Sequence, residues 1–320
     1  MKSIMTLLLL LVTLFAAAQQ TKQDSLLFDQ AQTLLVEGKY DEALTIINRL
    51  LISNHNNPDY FDLCGEIYMS KHIADTALFN FNTALMLDPE NPYIYSHRAH
   101  TFLSIQMPNK SIDDYNRALK LIKDDDTLKY TTIGNRGSAR QMERDFQGAY
   151  EDFKTALKFD SLNIQALIGM GSILDDLGKP RDGIAYLEKV IRLSPNESSA
   201  ICNLGFRYLD LGEYKKAIAM FNKVLELSPN DGVAYNNRGY VKYKKNDLKG
   251  ALKDIELAIK YYPANSYAFR NRALIYLAMK QQEKACEDLQ YAIQLGFTLM
   301  YGNEVQELIE KHCLLKDTHK

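Results

Sequence analysis

The sequence has no tryptophan and only four cysteines, and it has no sizeable excess of charge of either sign. Its 16 Gly and 8 Pro in 320 residues are too few for a disordered or fibrous chain. The net charge of −2 comes from 38 basic and 40 acidic residues mixed along the chain. That mixture excludes the one-sided basic face that nucleic acid requires, and it offers acidic lipid no partner. Cys64, Cys202, Cys286 and Cys313 form no Cys-x-x-Cys pair and no metal-ligand spacing. Two readings stand for Cys286 and Cys313. They bond if the last helix folds back in an oxidising compartment, or they sit apart as small buried hydrophobes.

Long apolar runs are also missing, with one exception. Lys2 precedes an uncharged run from Ile4 to Phe15, and Ala16, Ala17 and Ala18 follow. A basic start, a short apolar stretch and small residues before Gln19 describe a secretory signal peptide over 1–18. The run is short for a membrane span, and the other reading is an uncleaved anchor. No cysteine near the cleavage point supports lipid attachment.

What the chain does have is a period. Aligned on itself at 34 residues, it gives eight repeats: 24–57, 58–91, 92–125, 130–163, 164–197, 198–231, 232–265 and 266–299. Asp126 to Lys129 break the phase once, by four residues. Position 8 is always small (Ala31, Gly65, Ala99, Gly137, Gly171, Gly205, Gly239, Ala273). So is position 20, from Ala43 through Ser111 and Gly183 to Ala285. Position 24 is always large, as in Phe81, Tyr115, Phe153 and Phe221. Two antiparallel helices approach closely where both present small side chains, and a large one beside the contact fills the remaining space. Pro89, Pro195, Pro229 and Pro263 at position 32 end the second helix. Pro108 and Pro180 fall in its first turn, where a missing N–H does no harm. Each repeat is thus expected to be a helical hairpin whose apolar face only a stacked neighbour can bury.

Asn203-Leu204-Gly205, Tyr208, Gly212, Tyr214, Ala217, Phe221 and Pro229 resemble the tetratricopeptide repeat family, and the resemblance covers 24–299. It implies an all-α fold, a right-handed superhelical solenoid of helix-turn-helix hairpins with an inner concave surface. Beyond the last repeat, Asn303 and Gln306 have capping-box spacing, and Val305, Leu308 and Ile309 recur at helical intervals. A capping helix over 303–315 is expected to cover repeat eight, with residues 314–320 as a frayed tail.

Little in the sequence suggests chemistry. His97 and His100 form a His-x-x-His pair without an evident third ligand, and ordinary groove histidines explain them as well. Gly134-Asn135-Arg136-Gly137 lacks the Lys-Ser/Thr end of a phosphate loop, and Asp124, Asp125 and Asp126 lack the alternation of a calcium loop. No nucleophile elbow or Cys/His pair appears. The expectation is a non-enzyme without cofactor or resident metal.

The resemblance further implies that positions 2, 5, 6, 9, 12 and 13 face inward. In the N-terminal half these are Asp29, Asp59, Asp62 and Glu66, with His97 and His100 beyond. In the C-terminal half they are Phe206, Tyr240, Tyr243, Tyr267 and Arg270. Asn203, Asn237 and Asn271 share position 6, as does Asn135, while Gly169 interrupts the series. Amides stacked at one height could hydrogen-bond an extended peptide, or they could bond a neighbouring helix. Arg136, Arg238 and Arg272 at position 7 are expected to pair with acids between helices. The family's carboxylate clamp is absent, because its five places hold Cys202, Phe206, Asn237, Tyr267 and Asn271.

Together these features describe an interaction scaffold that binds a protein or peptide partner in its concave groove. With the signal peptide it resembles exported repeat proteins of Gram-negative bacteria, periplasmic or secreted. The alternatives are an envelope assembly factor that self-associates, or a metal binder or enzyme centred on His97 and His100.

Overall fold

The computed structural model describes residues 2–123 and 126–313, with side chains from Gln19 onward except that of Asp126. The apolar run of 4–15 and the tail of 314–320 therefore lie outside the described side chains. Among the described residues there is no strand, and no helix is long and apolar enough to cross a membrane.

The chain divides into two compact units, Met1–Ser161 and Leu162–Lys320. The first holds α1 (Lys2–Val36), α2 (Tyr40–Ser53), α3 (Pro58–Ser70), α4 (Ala74–Leu87), α5 (Pro92–Ser104), α6 (Pro108–Leu121), α7 (Asp126–Met142) and α8 (Phe146–Phe159). The second holds α9 (Ile164–Ile173), α10 (Pro180–Leu193), α11 (Ser198–Asp210), α12 (Tyr214–Leu227), α13 (Gly232–Lys244), α14 (Leu248–Tyr261), α15 (Ser266–Ala278) and α16 (Gln282–Gln294). The short α17 (Phe297–Tyr301) and α18 (Glu304–His312) follow. In each unit, successive helices pair as hairpins, and each hairpin packs on the next.

Local chemistry sets where the helices start and turn. The N–H groups of Asp59, Tyr93, Ala166, Ala234 and Tyr267 donate to the side-chain oxygens of Asn57, Asn91, Asn163, Asp231 and Asn265, which satisfies donors at helix starts. Position 15 adopts positive φ in all eight repeats: Gly38, His72, Gln106, Arg144, Gly178, Gly212, Asn246 and Lys280. The N–H of the next residue then reaches back five places, as from Lys39 to Leu34 O and from Gln281 to Tyr276 O. This is the left-handed helix end that folds the chain back on itself.

The core runs through the hairpins. Ile47, Phe81, Tyr115, Phe153, Leu187, Phe221, Ile255 and Leu289, the residues of position 24, are all fully buried. Gly171 and Gly183 face each other where α9 meets α10. A Cβ on Gly183 would lie 2.8 Å from the Gly171 carbonyl oxygen, so only glycine permits this approach.

The four extra residues Asp126–Lys129 lengthen α7 at its start. Four residues are close to one helical turn, so the buried face is preserved. Asn303 makes no side-chain cap, and Gln306 donates to Glu310 instead, so the capping box does not form. Finally, Cys286 and Cys313 are not separate hydrophobes but a disulfide, with Cα atoms 5.8 Å apart. It ties the end of α18 to α16, while Val305 and Ile309 bury against Ala285, Leu289 and Phe297.

Candidate partner-binding groove

The site is built on a frame of ion pairs. Within a hairpin, the position-7 arginine of the first helix forks onto an aspartate of the second. Arg238 Nε and Nη2 donate to Asp254 at 2.8 Å each, and Arg272 does the same to Asp288. Arg98 with Asp114 and Arg136 with Asp152 repeat the motif in the first unit. Two parallel bonds fix the guanidinium plane, so these arginines brace hairpins.

Across the C-terminal unit, the position-6 amides knit one first helix to the next. Asn203 Nδ2 donates to Ser172 Oγ at 3.0 Å. Asn271 Nδ2 donates to Asn236 Oδ1 at 2.9 Å, and its own oxygen accepts from Arg270 Nη1 at 2.7 Å. Asn236 Nδ2 then donates to Asn237 Oδ1 at 3.2 Å. Asn237 and Asn271 are 7% and 3% exposed, so burial requires these bonds, and both polar atoms of Asn271 already hold a partner within the unit.

Beside this amide seam, α11, α13, α15 and the α17–α18 cap enclose a cavity of about 580 Å³. Phe206, Asn237, Tyr240, Tyr267, Arg270 and Asn271 all line it. The five positions of the family's clamp, Cys202, Phe206, Asn237, Tyr267 and Asn271, are among its walls. Asn203 and Tyr243 stand outside the lining, although Tyr243 stacks on Tyr240 with ring centres 6.1 Å apart. Asn135 lies on α7 of the first unit.

Several wall residues were missed from sequence: Asp210, Asn236, Tyr262, Tyr301 and Glu304. Two carried a signal. Tyr301 and Glu304 lie 34 residues after Tyr267 and Arg270, where a ninth repeat would place them. The cap thus continues the groove as well as covering the core.

Arg270 is the centre of the wall. Its guanidinium lies over the Tyr240 ring, 5.5 Å from the centroid, and bonds Asn271 and the Glu304 carboxylate. Its Nε is buried without a hydrogen-bond partner. Tyr267 meets Tyr301 at 4.3 Å and Phe297 at 5.1 Å. Burial is the main reason the Tyr267 phenol is held above its ordinary range, with Arg270 opposing. Burial likewise pushes the Cys202 thiol up to about 11, with the Asp231 charge adding to it. A thiol so protonated is a poor nucleophile.

The comparisons agree with this architecture. Family models described as TPR repeat and tetratricopeptide repeat match residues 205–246 and residues 164–197 and 233–265. The human tetratricopeptide repeat protein 13 is 24% identical over 186 residues, covering 56% of this chain. The chain spans about a fifth of that relative's length, 21%. The structure is similar to a tetratricopeptide repeat protein from Parabacteroides merdae, with TM-score 0.64 and 18% identity, covering 79% of this chain and 97% of that one. A chain of the Cut9–Hcn1 assembly gives TM-score 0.68 at 18% identity, covering 77% of this chain and 48% of its own length. The family models, the 34-residue period and the hairpin geometry show that the chain carries tetratricopeptide repeats, which serve as protein–protein interaction scaffolds, and the solved structures share the fold.

Proposed function

We propose that the chain is an exported, non-catalytic scaffold that binds a peptide or helix of a partner protein in the groove of α11, α13, α15 and the cap. The observation that carries this is the cavity of about 580 Å³, walled by Phe206, Tyr240, Tyr262, Tyr267 and Tyr301 around one partly buried arginine. Its size is that of a specific ligand site, and tyrosine-rich walls with an arginine match the residues that anchor interfaces. Tyr262 and Tyr301 are 47% and 48% exposed, so they offer apolar area that a partner would bury. Stacked hairpins hold these rings in place beforehand, which lowers the entropy lost on binding.

The non-catalytic reading rests on the wall chemistry. Arg270 is engaged by Glu304, and Cys202 is a protonated thiol. Export is supported by the sequence of residues 1–18 and by the Cys286–Cys313 disulfide, which is at home in an oxidising compartment. In a Gram-negative cell that compartment is the periplasm or the medium.

The test is capture from envelope extract with the chain from Gln19 onward, beside a Tyr240→Ala/Tyr267→Ala variant whose helicity and melting match the parent. A partner retained by the parent and lost by the variant supports the groove. Equal retention by both removes the cavity from the account. Export is read separately, from the N-terminus of the protein recovered outside the cytoplasm, expected to be Gln19.

A further inference from the structure

A second cluster lies in the N-terminal unit. Asp62 and Glu66 are one turn apart on α3 and so share a side of it. His97 on the neighbouring α5 points its Nδ1 between them, 3.0 Å from both Asp62 oxygens and 3.7 Å from Glu66 Oε1. The three ligand atoms all lie within 4.8 Å of one another. His100, which the sequence pairs with His97, is not in the set and instead borders a separate cavity with Met69, His72 and Ser104.

The geometry points to a divalent transition-metal site of the zinc class, with Asp62, Glu66 and His97 as its three protein ligands. A tetrahedral ion with bonds near 2.0–2.1 Å has ligand-to-ligand edges of about 3.4 Å. The His97 distances of 3.0 and 3.7 Å bracket that value, so small side-chain rotations would admit the ion. One nitrogen and two carboxylates suit zinc better than magnesium or calcium, which prefer oxygen alone. The fourth corner would belong to water.

Charge gives the independent reason. The buried aspartates of the hairpin braces, Asp114, Asp152, Asp254 and Asp288, each hold an arginine. Asp62 and Glu66 are only 14% and 29% exposed, yet among the described residues neither pairs with lysine or arginine. Asp59 adds a further negative charge beside Asp62. Two half-buried acids facing one imidazole are short of positive charge, and a divalent ion supplies it. On binding, the metal takes the Nδ1 lone pair, and the proton now shared with Asp62 moves to Nε2 or to solvent.

The full chain, purified without a histidine tag and stripped of metal, would be titrated with zinc chloride by calorimetry and then dialysed for elemental analysis. One zinc per chain is expected. Asp62→Asn, Glu66→Gln and His97→Gln should each weaken binding at least tenfold, while His100→Gln should bind as the parent does. Circular dichroism on each variant checks that it folds, and Glu66→Gln, the most exposed carboxylate of the set, serves if another does not. Zinc should also raise the melting midpoint of the parent and not that of Glu66→Gln. Substoichiometric zinc in the parent, or binding that survives these three substitutions, overturns the assignment and leaves the His97 imidazolium as the counter-charge.

Discussion

Reducing the Cys286–Cys313 bond should release the cap before it disturbs the rest of the C-terminal unit. The two cysteines are 27 residues apart in sequence, closing a loop through α16, α17 and α18. Loop-closure entropy for that length gives about 3.5 kcal/mol at 25 °C held against opening. Little else retains α18. It has nine residues, too few to be helical alone, and it buries only Val305 and Ile309 fully or nearly so. Opening would also separate Glu304 from Arg270 and remove Tyr301 from the groove wall. Hydrogen exchange by mass spectrometry reads this locally, which suits a repeat array that need not unfold all at once. On adding a phosphine reductant, amides of α18 should lose protection by about two and a half orders of magnitude, the equivalent of that free energy. Those of α11 and α12 should be unchanged. Protection of α18 that ignores the reductant, or a loss spread evenly over the unit, would refute the reasoning.

Three further outcomes follow from the frame. Asp254 is 2% exposed and holds both Arg238 and Lys242, so Asp254→Ala strands two cations and should cost about 2–3 kcal/mol in urea unfolding. A loss under about 0.5 kcal/mol would mean that the brace contributes nothing. Gln106 sits at φ 59°, which costs a non-glycine residue about 1 kcal/mol, so Gln106→Gly should raise stability by up to that amount. A drop instead would contradict the left-handed turn. Burial pushes both Cys64 and Cys202 up to about 11, leaving about 0.1% thiolate at pH 8. Ellman's reagent should therefore react slowly with the native chain, find two thiols after denaturation, and find four after reduction as well. Four without reduction would disprove the disulfide.

The hairpins were legible because their cause is written at fixed intervals. Small residues at positions 8 and 20 and a large one at 24 constrain how two helices can meet, whichever repeat they occupy. The turn at position 15 was harder to see, since glycine marks it in only three repeats and His72, Gln106, Arg144, Asn246 and Lys280 adopt the same φ without it. There the packing of two helices imposes the conformation on residues that do not favour it. The groove was half legible. Phe206, Tyr240, Tyr267 and Arg270 follow from the period, but the amides were ambiguous, because a hydrogen-bonding group does not state its partner. Only the placement of Asn236 between Asn237 and Asn271 directs them inward. Tyr301 and Glu304 fell past the last counted repeat, although the same period reaches them. The Asp62–Glu66–His97 cluster joins residues from two repeats, which the spacing within one helix does not show.

The most direct measurement is the exchange footprint of a captured partner on this chain. The account predicts new protection on α11, α13, α15 and the cap, centred on peptides that contain Tyr240, Tyr267 and Tyr301. Protection confined to the second helices α12, α14 and α16, or to the N-terminal unit, would contradict it.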